Sequence, residues 1–185
     1  MDFIIKKEIP MKIKFILMVL LLSMVSLFAE NIDLEKSSFI WKGSKITGDF
    51  HSGPIKMQSA FLEDGKGEFV ADMNSIEDVT LKGEWKKKFL KHMKSDDFFD
   101  VEKFPTAKLE IEKMDNGYLY GKLTIKDQTH AISIPFEKKD NVYSGQFGFD
   151  RTQYDMIYGS GNFFKNLGDK VISDTVTLQF TVVTN

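Results

Sequence analysis

Cysteine is absent from all 185 residues, which removes disulfides, thiol chemistry and a lipid-modified cysteine anchor at once. Arginine occurs once, at Arg151, and the 25 basic and 27 acidic side chains nearly balance. That balance gives no electrostatic reason to expect nucleic acid. Four prolines and thirteen dispersed glycines leave no polar linker and no domain boundary, so the chain reads as one compact domain. Without cross-links, the fold has to hold by packing alone.

The N-terminus stands apart. Lys6, Lys7, Lys12 and Lys14 surround the start of an apolar run from Phe15 to Leu22, continued to Ala29 before the polar Glu30-Asn31. A basic head, a short apolar stretch and a small residue before the polar segment are the parts of a secretory signal. Residues 1–29 are therefore expected to be removed, with Met11 as an alternative start and an uncleaved anchor as the rival. Residues 30–185 then form the working domain. Removal of four lysines and two acids leaves it with a formal charge of −4.

What remains alternates with a period of two. Phe39 and Trp41, Ile55 and Met57, Phe69 and Ala71, Leu109 and Ile111, Leu123 and Ile125, and Ile132 to Phe136 each place apolar side chains on one side of an extended chain. Asn116-Gly117, Glu63-Asp64-Gly65 and Lys139-Asp140-Asn141 supply reversals between such runs. From Val171 to Val183 a long β-prone tail keeps Val176, Leu178, Phe180 and Val182 on one face. One segment departs from this rhythm. Leu81, Trp85, Phe89 and Met93 recur every four residues among lysines, predicting a short amphipathic helix that Pro105 separates from the next strand.

Many antiparallel strands with one helix leave a barrel or a sandwich. The barrel is preferred, because the terminal strand can pair back on the first and remove both edges. Seventeen phenylalanines are a surplus for a domain of this size. They either fill the interior or line a cavity for an apolar guest.

Catalytic patterns are incomplete. Asp96, Asp97 and Asp100 surround Phe98-Phe99 as an acidic turn, without the opposed carboxylates of a glycosidase or the oxygen array of a calcium loop. His51, His92 and His130 lack any short metal-ligand spacing. Gly159-Ser160-Gly161 lacks the surroundings of a nucleophile elbow. Arg151, between Phe147-Gly148-Phe149-Asp150 and Tyr154, Asp155 and Tyr158, either holds an anionic head or pairs locally with Asp150 or Asp155.

Taken in order, Trp41-Lys42-Gly43, His51-Ser52-Gly53, the run from Phe69 to Ile76, the run from His92 to Val101 with Phe104-Pro105, Gly121 to Ile125, and Asp150-Arg151-Thr152 with Tyr154 resemble the YceI-like family of exported, lipocalin-like polyisoprenoid-binding proteins. The resemblance covers nearly all of residues 30–185. It implies an all-β, extended antiparallel lipocalin-like barrel enclosing a long isoprenoid or other amphiphilic lipid, periplasmic or secreted, with transient membrane contact and no cofactor. It implies binding rather than catalysis. On this reading Trp41, Phe69, Trp85, Phe98, Phe99, Phe147 and Phe149 are candidate wall or gate residues, and His51, Arg151 and Tyr154 are candidate polar contacts. The competing readings are a solidly packed interaction module and a lipid-modifying or hydrolytic enzyme using Asp96, Asp97 or His51.

Overall fold

A computed structural model describes residues 29–185. The expected export signal, Ala29 apart, lies outside the described residues. Alternation becomes strands where it was read, except that Ile55 and Phe136 fall between strands and the tail read from Val171 is a strand only from Thr175: β1 (Ala29–Glu30), β2 (Ile32–Ser44), β3 (Phe50–Pro54), β4 (Lys56–Glu63), β5 (Lys66–Asp72), α1 (Gly83–Met93), β6 (Thr106–Asp115), β7 (Tyr118–Ile125), β8 (Gln128–Pro135), β9 (Glu137–Lys139), β10 (Val142–Asp150) and β11 (Thr175–Thr184). All strand pairs are antiparallel.

The expected closed barrel is not what these strands build. They form two sheets, one in the order β1-β4-β5-β6-β7-β8 and one in the order β3-β2-β11-β10-β9. Among the described residues the chain crosses between the sheets three times, at Asn31, Ile55 and Phe136, and a proline stands at the last two crossings. β3 ends at Pro54 and β4 follows from Lys56; β8 ends at Pro135 and β9 follows from Glu137. Proline has no amide hydrogen to give a ladder. At the corners the chain instead donates from Ile55 N to the Phe39 carbonyl (3.0 Å) and from Phe136 N to the Gly117 carbonyl (2.8 Å). β10 does pass close to β8: a Cβ on Gly145 would stand 2.4 Å from the Pro135 carbonyl oxygen. The sheets therefore touch along a seam without sharing a ladder. The terminal strand does pair back on the first long strand, from Thr177 opposite Lys42 to Thr184 opposite Ile32, but within one sheet.

The two ends of the molecule differ. One carries tight reversals at Asp64-Gly65, Asn116-Gly117 and Asp140-Asn141, with positive φ at Asp64, Gly65, Asn116, Gly117 and Asp140. The other carries the longer connections, including α1 and the segment between β10 and β11. Long loops gathered at one end of a rigid sheet pair are the usual place for a binding site.

The helix is where expected, but its packed stripe is rotated. Lys86, Phe89, Leu90, His92 and Met93 are the buried or half-buried positions, forming one side of the α-helix, whereas Trp85 is 74 % exposed. Spacing by four drifts around a helix of 3.6 residues per turn, so the first ring of the predicted series leaves the protein surface. Lys86 takes the inner position by pairing with Glu77 at 2.5 Å.

After α1 the acidic motif forms a compact turn. Phe99 N donates to the Met93 carbonyl, Asp100 N to the Ser95 carbonyl and Val101 N to the Lys94 carbonyl, while Asp100 adopts a φ of 46°. Phe98 and Phe99 are buried; Asp96 and Asp97 are exposed. The rings belong to the interior and these two acids face water.

Candidate functional site: an apolar hollow and its rim

Between the sheets lies a cavity of about 410 Å³. Nine phenylalanines and Trp41 are among its lining side chains, so much of the aromatic surplus is wall. Val176, Leu178, Phe180 and Val182 all face it. The six residue steps from Val176 to Val182 span roughly 20 Å at ~3.3 Å each, which makes the hollow long rather than round. On the opposite wall, one pair in from the α1 end of the β5–β6 ladder, Ala71 pairs directly with Ala107, and both line the space. These small side chains leave the hollow wide.

A polar knot lies at the tight-turn end. Tyr143, a lining residue, donates from its hydroxyl to Glu30 Oε1 at 2.7 Å, and Lys138 Nζ reaches the same oxygen at 3.0 Å. Burial pushes the Tyr143 phenol up. Burial also opposes ionisation of Glu30, but its bonds from Tyr143 and Lys138 outweigh that and hold the carboxyl below its ordinary value.

At the other end the lining becomes mixed. Lys45, Asp49 and Tyr158 line the hollow while remaining exposed, which locates its opening beside α1 and the β10–β11 connection. His51 and His92 stand at the same rim. Phe89 links helix to sheet, stacked with Trp41 at a ring separation of 6.3 Å and tilted against His51 at 4.2 Å. Across the opening His92 meets Tyr158 edge to face at 4.7 Å.

The segment leading into α1 is fixed from three sides. Trp41 Nε1 donates to the Glu77 carbonyl at 2.9 Å. The Asp78 carboxylate, 0 % exposed, accepts from Thr80 N at 2.9 Å and from Leu81 N at 2.6 Å. His51 Nδ1 lies 2.8 Å from Thr80 Oγ1 and 3.4 Å from Asp78 Oδ2. Gly53 completes the fit, because a Cβ there would sit 2.0 Å from the Glu77 carbonyl oxygen. Gly53→Ala is expected to push this segment off β3 and to cost about 1–3 kcal/mol. A urea-unfolding midpoint within error of the parent's would show that the close approach is unimportant.

Arg151 is 1 % exposed and lines the hollow, but its donors are directed into the protein. Nε reaches the Ser173 carbonyl at 3.0 Å, Nη1 the Met156 carbonyl, and Nη2 both the Ile172 carbonyl and Asp174 Oδ1 at 3.2 Å. Asp174 Oδ2 in turn accepts from Ser160 Oγ at 2.9 Å and Asn162 Nδ2 at 2.7 Å. The carboxylate partner is Asp174, not the nearer-in-sequence Asp150 or Asp155. Burial lowers the guanidinium pKa, against the pull of Asp174 and Asp150.

Of the residues singled out in the sequence, Trp41, His51, Phe69, Phe98, Phe99, Phe147, Phe149 and Arg151 line the hollow. Trp85 and Tyr154 do not. Tyr154 is 2 % exposed and packs against Phe149 at 5.6 Å and His130 at 5.0 Å. Burial pushes its phenol up to about 12. The folded state therefore holds the proton more tightly than the unfolded chain, whose phenol titrates near 10. The associated stability, about 2–3 kcal/mol, is complete below pH ~10 and is lost as the pH climbs towards ~12. Ultraviolet titration of the native protein should show a late tyrosine transition that Tyr154→Phe removes; an unaltered curve would contradict this.

Residues that the sequence reading passed over include Phe89, Phe136, Lys45 and the Ala71–Ala107 pair. Phe89 carried the helical signal and Phe136 the strand signal; nothing local marks the alanines as facing space. The three histidines do not converge, since His92 Nε2 is 2.9 Å from Asp97 Oδ2 and His130 Nε2 is 2.9 Å from the Gln153 carbonyl. Among the described residues no group of three or more His, Asp or Glu side chains is placed to hold a metal ion.

Two antiparallel sheets thus enclose an elongated apolar hollow, loaded with rings and opening beside α1 and the β10–β11 connection. The chain belongs to the YceI-like family: the model of the YceI-like domain matches residues 31–184. BcnA from Burkholderia cenocepacia has a similar structure, with a TM-score of 0.67 at 20 % identity over 84 % of this chain and 100 % of that one. So does a polyisoprenoid binding domain from Saccharophagus degradans, with a TM-score of 0.60 at 15 % identity over 85 % of this chain and 98 % of that one. No curated protein matches the chain.

Proposed function

We propose that the protein is an exported, non-enzymatic carrier that encloses the tail of an isoprenoid or related amphiphilic lipid and shields it from water. The observation that carries this reading is the hollow itself, long, apolar and open beside α1 and the β10–β11 connection. Three backbone bonds span ~3.6 Å, about 1.2 Å per bond. A four-bond isoprene repeat thus takes roughly 5 Å, and a hollow of ~20 Å takes about four.

Twenty carbons buried at about 0.8 kcal/mol each give roughly 16 kcal/mol before ordering costs. That gross sum is already close to the ceiling of non-covalent affinity. The tail therefore supplies the affinity, and the head sets orientation and selectivity. Exposed Lys45 and Asp49, with His51 behind them, are the groups a head would meet at the rim.

A solidly packed interaction module leaves no such space, and the acids proposed for an enzyme lie apart from it: Asp96 and Asp97 are exposed, and neither lines the hollow. The test is uptake. Delipidated folded protein is mixed with isoprenoid lipids of graded length, and bound lipid is quantified by mass spectrometry. Retention should rise to about four repeats and then level off; folded protein that retains none would end the proposal.

A further inference from the structure

The apolar side chains left on the surface are not evenly spread. Of the twelve large hydrophobic residues that are exposed among the described residues, seven belong to the loops and helix at the open end of the hollow and an eighth, Phe50, begins β3 there. Trp85 is 74 % exposed, Val79 and Ile46 are each 66 %, Phe163 55 %, Phe50 48 % and Phe164 44 %. Scattered exposed apolar residues need no explanation, but a concentration around one opening marks an interaction surface.

These residues flank the opening. Trp85 and Val79 stand on the α1 side, whereas Phe163 and Phe164 belong to the β10–β11 connection. The two sides are tied across the mouth by the His92–Tyr158 contact at 4.7 Å and by Ile46 N donating to the Val171 carbonyl at 3.1 Å.

The charge of α1 and its two flanking lysines narrows the partner. Between Lys82 and Lys94 there are six lysines and one acid, Glu84, in a domain whose formal charge is −4. Lys86 pairs with Glu77 and Lys87 with Glu84. Lys82, Lys88 and Lys91 are exposed and form no ion pair among the described residues. Lys165 and Lys170 are exposed on the opposite loop beside Asp169, and Lys45 pairs loosely with Asp49 at 3.7 Å. Rings and aliphatic side chains set among long lysines suit the interface of an anionic bilayer, where rings enter the headgroup layer and ammonium groups meet phosphate.

We propose that this end docks on the surface of an anionic lipid bilayer, with Trp85 and Phe163-Phe164 entering the interface on either side of the opening and the α1 lysines contacting headgroups. Docked in this way, the opening faces the bilayer, so a tail can pass between membrane and hollow without crossing bulk water. The purpose given to the contact rests on the reading of the hollow as a lipid site; the contact itself does not.

The probe is a vesicle of equimolar phosphatidylglycerol and phosphatidylcholine, with pure phosphatidylcholine vesicles as the comparison. The protein is purified from the exporting cell, and its intact mass establishes the N-terminus. Trp41 and Trp85 are the only tryptophans, and Trp41 is buried in the wall of the hollow, so a blue shift of fluorescence that persists when vesicles are added to the cavity-filled variant Ala71→Phe/Ala107→Phe reports Trp85. The expected result is co-sedimentation with anionic vesicles, a blue shift, and release by salt. Trp85→Ser/Phe163→Ser/Phe164→Ser, and independently Lys82→Glu/Lys88→Glu/Lys91→Glu, should each weaken binding at least ten-fold with unchanged circular dichroism.

Binding equal on both vesicle types, binding unaffected by either variant, or self-association through this face in place of vesicle binding would overturn the proposal. The cavity-filled variant Ala71→Phe/Ala107→Phe separates the two readings. Docking by that variant without lipid uptake is expected. Uptake by the parent protein without docking would overturn the membrane contact alone.

Discussion

Ala71→Phe/Ala107→Phe is expected to lose isoprenoid uptake by at least a hundred-fold while unfolding at no lower temperature than the parent. The two alanines oppose each other across β5 and β6 and face the hollow. Cβ atoms of directly opposite residues lie ~4.5–5.5 Å apart, so two benzyl groups would enter the space together and obstruct it near its open end. In a filled core, additions of that size cost about 1–3 kcal/mol or more through strain. In an open apolar hollow they gain contacts instead. Uptake and thermal unfolding measured on the same preparation therefore decide between carrier and solid module. A variant that still binds lipid normally, or one that unfolds far earlier, would refute the existence of usable space at that level.

The second large effect is at Arg151. Arg151→Ala should destabilise the protein by about 3–5 kcal/mol, because it leaves Asp174 with a partly buried, unpaired charge. It also strands the carbonyls of Met156, Ile172 and Ser173. At roughly 2–4 °C per kcal/mol for a domain of this size, melting should fall by ~10 °C. Arg151→Lys should restore little, since an ammonium group cannot serve acceptors arranged around a planar fork. A loss below about 1 kcal/mol in chemical denaturation would show that the network is dispensable. Lipid affinity measured below the melting range should keep its preference among headgroups if Arg151 acts only within the protein.

Strand identity, the hairpin reversals and the lone helix could be read locally because each depends on neighbours in sequence. Alternation marks a half-buried strand, and Asn116-Gly117 marks a turn wherever it occurs. Closure was not legible in that way. Whether β8 and β10 share a ladder depends on a proline whose missing hydrogen matters only once two distant strands meet at Pro135. In the site, the rings were recoverable because they share faces with the core, and His51 sits within a compact motif. Trp85 misled through exact spacing by four, and Ala71 with Ala107 escaped because a void is defined by what surrounds it. Arg151 attracted a ligand role for its rarity, whereas its partners Ile172, Ser173 and Asp174 lie more than twenty residues away.

Proline at two of the three crossings also bears on how the container accommodates its contents. A continuous hydrogen-bonded cylinder has its bore set by strand number and stagger, so a bulkier guest is refused. Here the walls meet along seams held by side chains and isolated corner bonds at Ile55 and Phe136. Separating them by a fraction of an ångström breaks no ladder. Girth is thus elastic while depth stays capped by the Tyr143–Glu30–Lys138 floor, and selection should fall more heavily on the length of a guest than on its thickness.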